Sequence, residues 1–101
     1  MSRRSTNRDH ILVAYDIADD QRRTEVFETC KDFGNHVQYS VFLCELDPRE
    51  VVTLRELLRP MIHHGEDQVM LVNLGLATQG VLEQMEVLGQ PYSPPGRRFV
   101  V

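Results

Sequence analysis

A chain of 101 residues with a formal net charge of −4 has room for one domain and a modest core. Its apolar content, 42%, is ordinary, and no apolar run approaches the roughly 20 residues that cross a bilayer. The acidic balance argues weakly against a nucleic-acid binder, but ten of the eleven basic residues are arginine, clustered at Arg3-Arg4, Arg22-Arg23 and Arg97-Arg98. Guanidinium groups pair bidentately with phosphates, so such clusters can hold a nucleic-acid backbone on an acidic protein; they serve equally well as solvated surface.

Residues 1–10, beginning MSRRSTNRD, are polar and aperiodic and read as a flexible arm. Their arginines have no apolar stretch behind them, so the segment is not a secretory signal, and a cytoplasmic protein is expected. The run Ile11-Leu12-Val13-Ala14-Tyr15 is short, apolar and rich in β-branched and aromatic residues, which predicts a buried strand. It ends in Asp16, on the face shared with Leu12 and Ala14. An acid at the end of a buried strand needs a positive or hydrogen-bonding partner, which makes Asp16 a candidate site residue. The competing reading is a turn cap, a role for which Asp19 and Asp20 are better placed.

A helix is predicted from Gln21, with Val26, Phe27, Cys30 and Phe33 in one apolar stripe. Gly34 is expected as its left-handed stop. Arg22 and Arg23 fall in the first turn, where cations oppose the helix dipole, an arrangement suited to a bound phosphate and tolerable on any solvated face. A second strand is predicted from Val37 to Leu46. Asp47-Pro48-Arg49-Glu50 then reads as a capping box with proline at the first helical position, opening a helix through Val51, Leu54 and Leu58 that Pro60 ends near Arg59. His63-His64-Gly65 reads as a polar turn, since adjacent histidines point apart and nothing nearby completes a metal-ligand set. A third strand spans Asp67 to Leu74. Gly75 to Gly80 suggests a bend or short helical turn, Val81 to Leu88 fits either a helix or a strand, and residues 90–96 form a proline-rich loop. Phe99-Val100-Val101 has strand character with no chain left to cover it. Cys30 and Cys44 lie in apolar periodic segments and are expected buried, reduced and inert.

This order predicts an α+β domain over residues 11–101, a ferredoxin-like βαββαβ-type sandwich with an extra C-terminal strand at 98–101. That fold hosts nucleases, RNA-recognition modules and ligand-sensing domains, and decides no function by itself. A ligand-sensing domain would want a glycine-rich loop where Ala18-Asp19-Asp20-Gln21 stands.

Taken together, Tyr15-Asp16-Ile17, Arg22-Arg23, Gly34 and Val37-Gln38-Tyr39-Ser40-Val41-Phe42 resemble the signature of the CRISPR-associated protein 2 family, as do Asp67-Gln68-Val69 and Val87-Leu88-Gly89. The resemblance implies a homodimer in the spacer-acquisition complex of antiviral defense. It would bridge dimers of CRISPR-associated protein 1 and hold double-stranded prespacer DNA, with Mg2+-dependent endonuclease activity on RNA or duplex DNA; a toxin-like endoribonuclease is a variant. It places catalysis and metal binding on Asp16 and nucleic-acid contacts on Gln38 and Ser40, and the arginine clusters are expected to add phosphate contacts at Arg22, Arg23, Arg97 and Arg98. The partner-pairing strand is Phe99, Val100 and Val101. Leu43 and Asn35-His36 depart from the family pattern, which bears on local phosphate contacts.

Overall fold

Alternate residues from Ile11 to Ile17 are buried while Leu12 and Ala14 are only partly covered and Asp16 is exposed, the pattern of a strand with one face on a core. The computed structural model describes residues 8–78 and 80–92. Its elements run β1 (Asp9–Asp16), α1 (Asp20–Lys31), β2 (Gly34–Gln38), β3 (Val41–Leu46), α2 (Pro48–Leu58) and β4 (Gln68–Leu76). Short 3-10 turns cover Arg59–Met61 and Val81–Gln84. The strands form one sheet in the order β2-β3-β1-β4, with every neighbouring pair antiparallel. This is the βαββαβ arrangement expected, but its strands are not the ones the sequence suggested.

The stretch Val37 to Leu46 is two strands rather than one. Gln38 pairs with Val41 across a two-residue turn, Tyr39-Ser40. That turn carries neither glycine nor proline, and no non-glycine residue among the described residues adopts a positive φ, so it lacks the composition by which tight hairpin turns are usually recognised. β4 also runs two residues beyond the predicted end. It absorbs a register shift opposite Asp9 and Ile11, near Gly75, whose φ of 100° suits glycine. Val81–Gln84 is helical and no strand follows it through Tyr92, while the expected strand at 98–101 lies outside the described residues. β1 begins at Asp9, so the fold starts inside the segment expected as an arm.

The core lies between one face of the sheet and the two helices. Val13, Tyr15, Phe42 and Cys44 from the sheet meet Val26 and Cys30 of α1 and Leu54 and Leu58 of α2. Asp19 caps α1 by accepting from the Arg22 amide at 2.9 Å. The predicted capping box on α2 forms in both directions, between Glu50 N and Asp47 Oδ1 and between Asp47 N and Glu50 Oε1, each at 2.9 Å. Such a cap contributes roughly 1 kcal/mol.

Gly34 has a different role from the one its sequence position suggests. α1 ends at Lys31, and Gly34 opens β2 without a positive φ. A Cβ there would stand 2.4 Å from Cys44 Sγ and 2.6 Å from the Leu43 carbonyl oxygen, so close strand approach over the core excludes a side chain.

Among the described residues, neither α1 nor α2 packs on the opposite face of the sheet. Leu12, Ala14, Val41 and Leu43 are partly exposed there, and Met70, Val72 and Leu74 are 50%, 39% and 44% exposed.

Candidate nucleic-acid site

The end of β1 gathers most of the residues singled out in the sequence. Asp16 stands opposite Gln68 on β4, exposed on the uncovered face. The burial expected to demand a partner is therefore absent: Asp16 lies past the core, at the rim of the sheet, where water solvates the carboxylate. Beside it, the Tyr15 amide donates to the Ser40 carbonyl at 3.0 Å, which brings the β2–β3 turn, with Ser40 and the exposed Gln38, to this end of the sheet.

Arg22 and Arg23 arrive from the first turn of α1, and both guanidinium groups are engaged. Arg22 Nε donates to Asp67 Oδ2 at 2.8 Å and its Nη2 to Asp67 Oδ1 at 3.1 Å and Glu66 Oε1 at 3.2 Å. Arg23 Nη1 donates to the Ile17 carbonyl at 2.9 Å, and its Nη2 pairs with Asp20. Asp20 is almost fully exposed, so a phosphate can compete for Arg23 far more readily than for Arg22. Arg97, Arg98, Phe99, Val100 and Val101 lie outside the described residues.

The residue that sequence reasoning missed is Asp67. Its side chain is completely enclosed, and it accepts from the amides of Ala18, at 3.0 Å, and His63, at 2.8 Å, in addition to Arg22. The Arg22 hydrogen bonds, and after them the two backbone amides, hold its carboxyl well below the usual carboxylate range against the opposing effect of burial. Asp67 therefore locks the loop that follows Asp16 to the loop that precedes β4. The available signal was an acid standing immediately before a strand, a position where carboxylates meet loop amides.

His10 was missed as well. It lies at the other end of β1, 6% exposed, and its Nδ1 has no hydrogen-bond partner among the described residues. A buried nitrogen left in that state costs roughly 1–3 kcal/mol.

Residues 9–80 match the family model described as CRISPR associated protein Cas2. The chain belongs to the Cas2 family. It is 36% identical to the CRISPR-associated endoribonuclease Cas2 1 of Rhodospirillum rubrum over 102 aligned positions, covering 100% of this chain and 99% of the relative. It is 42% identical to the CRISPR-associated endonuclease Cas2 2 of Thermus thermophilus over 77 positions, covering 76% and 78% of the two chains. The crystal structure of Streptococcus pyogenes Cas2 superposes with a TM-score of 0.71 at 30% identity, covering 79% of this chain and 99% of that one. No helix among the described residues is long and apolar enough to cross a membrane.

For a Cas2-family chain the metal question falls on Asp16. Among the described residues no three His, Cys, Asp or Glu side chains converge as a metal-binding group. An exposed carboxylate is the right donor for a hard cation such as Mg2+, which takes six oxygens, so Asp16 fits as one ligand of a site that the described residues leave incomplete.

Proposed function

We propose that this Cas2-family protein is a cytoplasmic, homodimeric nucleic-acid-binding subunit of CRISPR spacer acquisition. In this reading it bridges dimers of CRISPR-associated protein 1 and holds double-stranded prespacer DNA. A weak Mg2+-dependent endonuclease activity, on RNA or duplex DNA, resides at Asp16. The observation that carries the reading is the pairing of an uncovered apolar sheet face with an exposed carboxylate at its rim. Face-to-face association would bury the apolar residues and give each Asp16 a symmetry mate, so that the two carboxylates together would hold one ion.

When bound, Mg2+ neutralises charge on a phosphate and activates water. Asp16 would hold the ion at the sheet rim, and Asp67, through Ala18 and Arg22, keeps the adjoining loop in place. Arg23, Gln38, Ser40 and, less accessibly, Arg22 line the approach to Asp16 as backbone contacts, and Arg97 and Arg98 extend that role along the chain. No histidine donates to or accepts from Asp16 among the described residues; His36 and His64 turn their Nε2 atoms to the carbonyls of Tyr39 and Arg59. Without a placed general base, hydrolysis is slow and the scaffold role dominates.

Asp16→Asn tests the two roles together. Nuclease activity on RNA and duplex DNA is expected to fall to background, while the dimer persists and spacer integration by the reconstituted complex continues. Undiminished nuclease activity removes Asp16 from the site. Lost integration by a folded Asp16→Asn dimer reverses the ranking of the two roles.

A further inference from the structure

The helix-bearing side of the sheet has a hollow of about 280 Å³ between α1 and the β2–β3 turn, bordered by Tyr15, Arg23, Thr24, Phe27, His36 and Tyr39. Tyr15 and Asp16 are successive residues of β1 and project to opposite faces, so the hollow and Asp16 stand back to back across the sheet. It therefore stays open when two protomers meet through their uncovered faces. The rings of Tyr15 and Phe27 belong to the core around Phe42 and give the hollow an apolar floor. Its other borders are polar, and no carboxylate is among them. Burial, with Cys30 and Tyr39 adding to it, raises the Tyr15 hydroxyl above the usual tyrosine range against the opposing effect of Arg23. That hydroxyl is thus a protonated donor, and no hydrogen bond engages it among the described residues. Arg23 is fixed by the Ile17 carbonyl at 2.9 Å, and its carboxylate partner, Asp20, is almost fully exposed. His36 packs against Phe27 and Phe42, and its Nε2 meets the Tyr39 carbonyl at 3.3 Å, which positions the turn. The Tyr39 side chain is left 79% exposed at the mouth, outside the core.

We propose that this hollow captures the phosphate-bearing terminal nucleotide of a single strand. The inference rests on the nucleic-acid reading above and adds a place for the strand's end. A guanidinium and an unused hydroxyl donor with no acid between them suit a phosphate. Arg23 exchanges Asp20 for the phosphate oxygens, and the Tyr15 hydroxyl donates to one of them. The exposed Tyr39 ring offers the π face on which the attached base stacks. The volume is at the small end of ligand pockets, room for one nucleotide and none for a duplex. A terminal phosphate fits better than an internal one for two reasons. It carries roughly two negative charges at neutral pH against one, and only one length of chain has to leave the hollow. A strand held here leaves by the rim of the sheet that carries Asp16.

The test is calorimetric titration of the full chain with single-stranded oligothymidine ending in a 5′-phosphate, a 3′-phosphate or hydroxyls at both ends, at one salt concentration. A phosphorylated strand is expected to bind about tenfold more tightly than the hydroxyl-ended one. Tyr15→Phe keeps the ring in the core and removes the donor alone. It should lose most of that advantage while binding the hydroxyl-ended strand as the parent does. Carbon NMR should show the Tyr15 Cζ signal shifting with the phosphorylated strand and not with the other. Tyr39→Ala should weaken binding of dTMP and leave competition by inorganic phosphate unchanged. Inorganic phosphate that competes as strongly as dTMP makes this a site for a free anion and overturns the proposal. An advantage that survives Tyr15→Phe in full overturns it as well. If all three strands bind equally, the strand-end site falls and the nucleic-acid reading stands. If none binds, both fall.

Discussion

Asp67 and Arg22, 45 positions apart in the chain, meet through a guanidinium-to-carboxylate hydrogen bond of 2.8 Å that ties the start of α1 to the start of β4. The pair is built for position rather than for ligand contact. Asp67 is enclosed, and it also receives two backbone amides. Removing the carboxylate leaves an arginine and two N–H groups without their acceptor on either side of the segment that begins at Asp16.

Asp67→Asn is therefore expected to lower the thermal midpoint at neutral pH and to speed hydrogen exchange at the Ala18 and His63 amides. The pH dependence has a definite sign. The folded-state pKa of Asp67 is depressed, so its stabilisation is complete above the unfolded value of roughly 3.9 and fades as pH falls below that value. Melting curves of the two proteins should differ most at neutral pH and converge progressively below about pH 4. A constant gap through that range assigns the loss to packing instead.

Gly34→Ala probes the close approach of β2 to β3. The added methyl meets a sulfur and a backbone carbonyl oxygen, and only the sulfur has any freedom to yield. Chemical denaturation should show a loss of about 1–3 kcal/mol, the usual range for overpacking. Gly34→Ala with Cys44→Ala should recover part of it, because removing Sγ opens one of the two contacts.

The thiols should be silent until the protein opens. Burial pushes Cys30 up to about 12, with Cys44 adding to the effect, and burial alone pushes Cys44 up to about 11. At pH 8, thiolate at either position is on the order of one molecule in a thousand or fewer, against roughly a quarter for a free cysteine. Iodoacetamide labelling in native buffer is expected to be slower than in urea by orders of magnitude. Rapid native labelling of Cys44 would mean that β2 leaves the sheet often.

Charge on the uncovered face should separate folding from association. Met70→Asp places a carboxylate on a side chain that is already half exposed, so the isolated fold has little to lose. Sedimentation at micromolar concentration is expected to give a dimer for the parent and a monomer for the variant, with unchanged far-ultraviolet dichroism. Dimers that persist in the Met70→Asp variant move the interface elsewhere.

The elements legible in the sequence were those whose signals are local. The capping box at Asp47 and Glu50 names its own partners three residues apart, and alternation from Val69 to Leu74 states which side meets the core. Unread features depended on contacts made by distant residues. The turn at Tyr39-Ser40 is held by the Tyr15 amide, far away in sequence, and its residues interrupt no apolar pattern. Gly34 reads as a helix stop because glycine commonly is one, whereas Cys44 is what requires it. For Asp16 the reading misjudged the surroundings, since a strand's last residue can project beyond the core its first residues line. Asp67 needed Arg22, and no periodicity links positions so far apart.

Arg8 sits where the chain enters the sheet. Its guanidinium donates to the Glu45 carbonyl at 2.9 Å and to Glu50 Oε1 at 2.7 Å, and its own carbonyl accepts from the Ala77 amide at 2.8 Å. One residue thus fastens β1 to the end of β3, the first turn of α2 and the end of β4. The eight residues of β1 then carry the chain roughly 25 Å to Asp16. A fluorophore or surface tether joined ahead of Arg8 is thereby anchored at the far rim of the sheet. It can report binding by energy transfer from a labelled strand without standing in that strand's way.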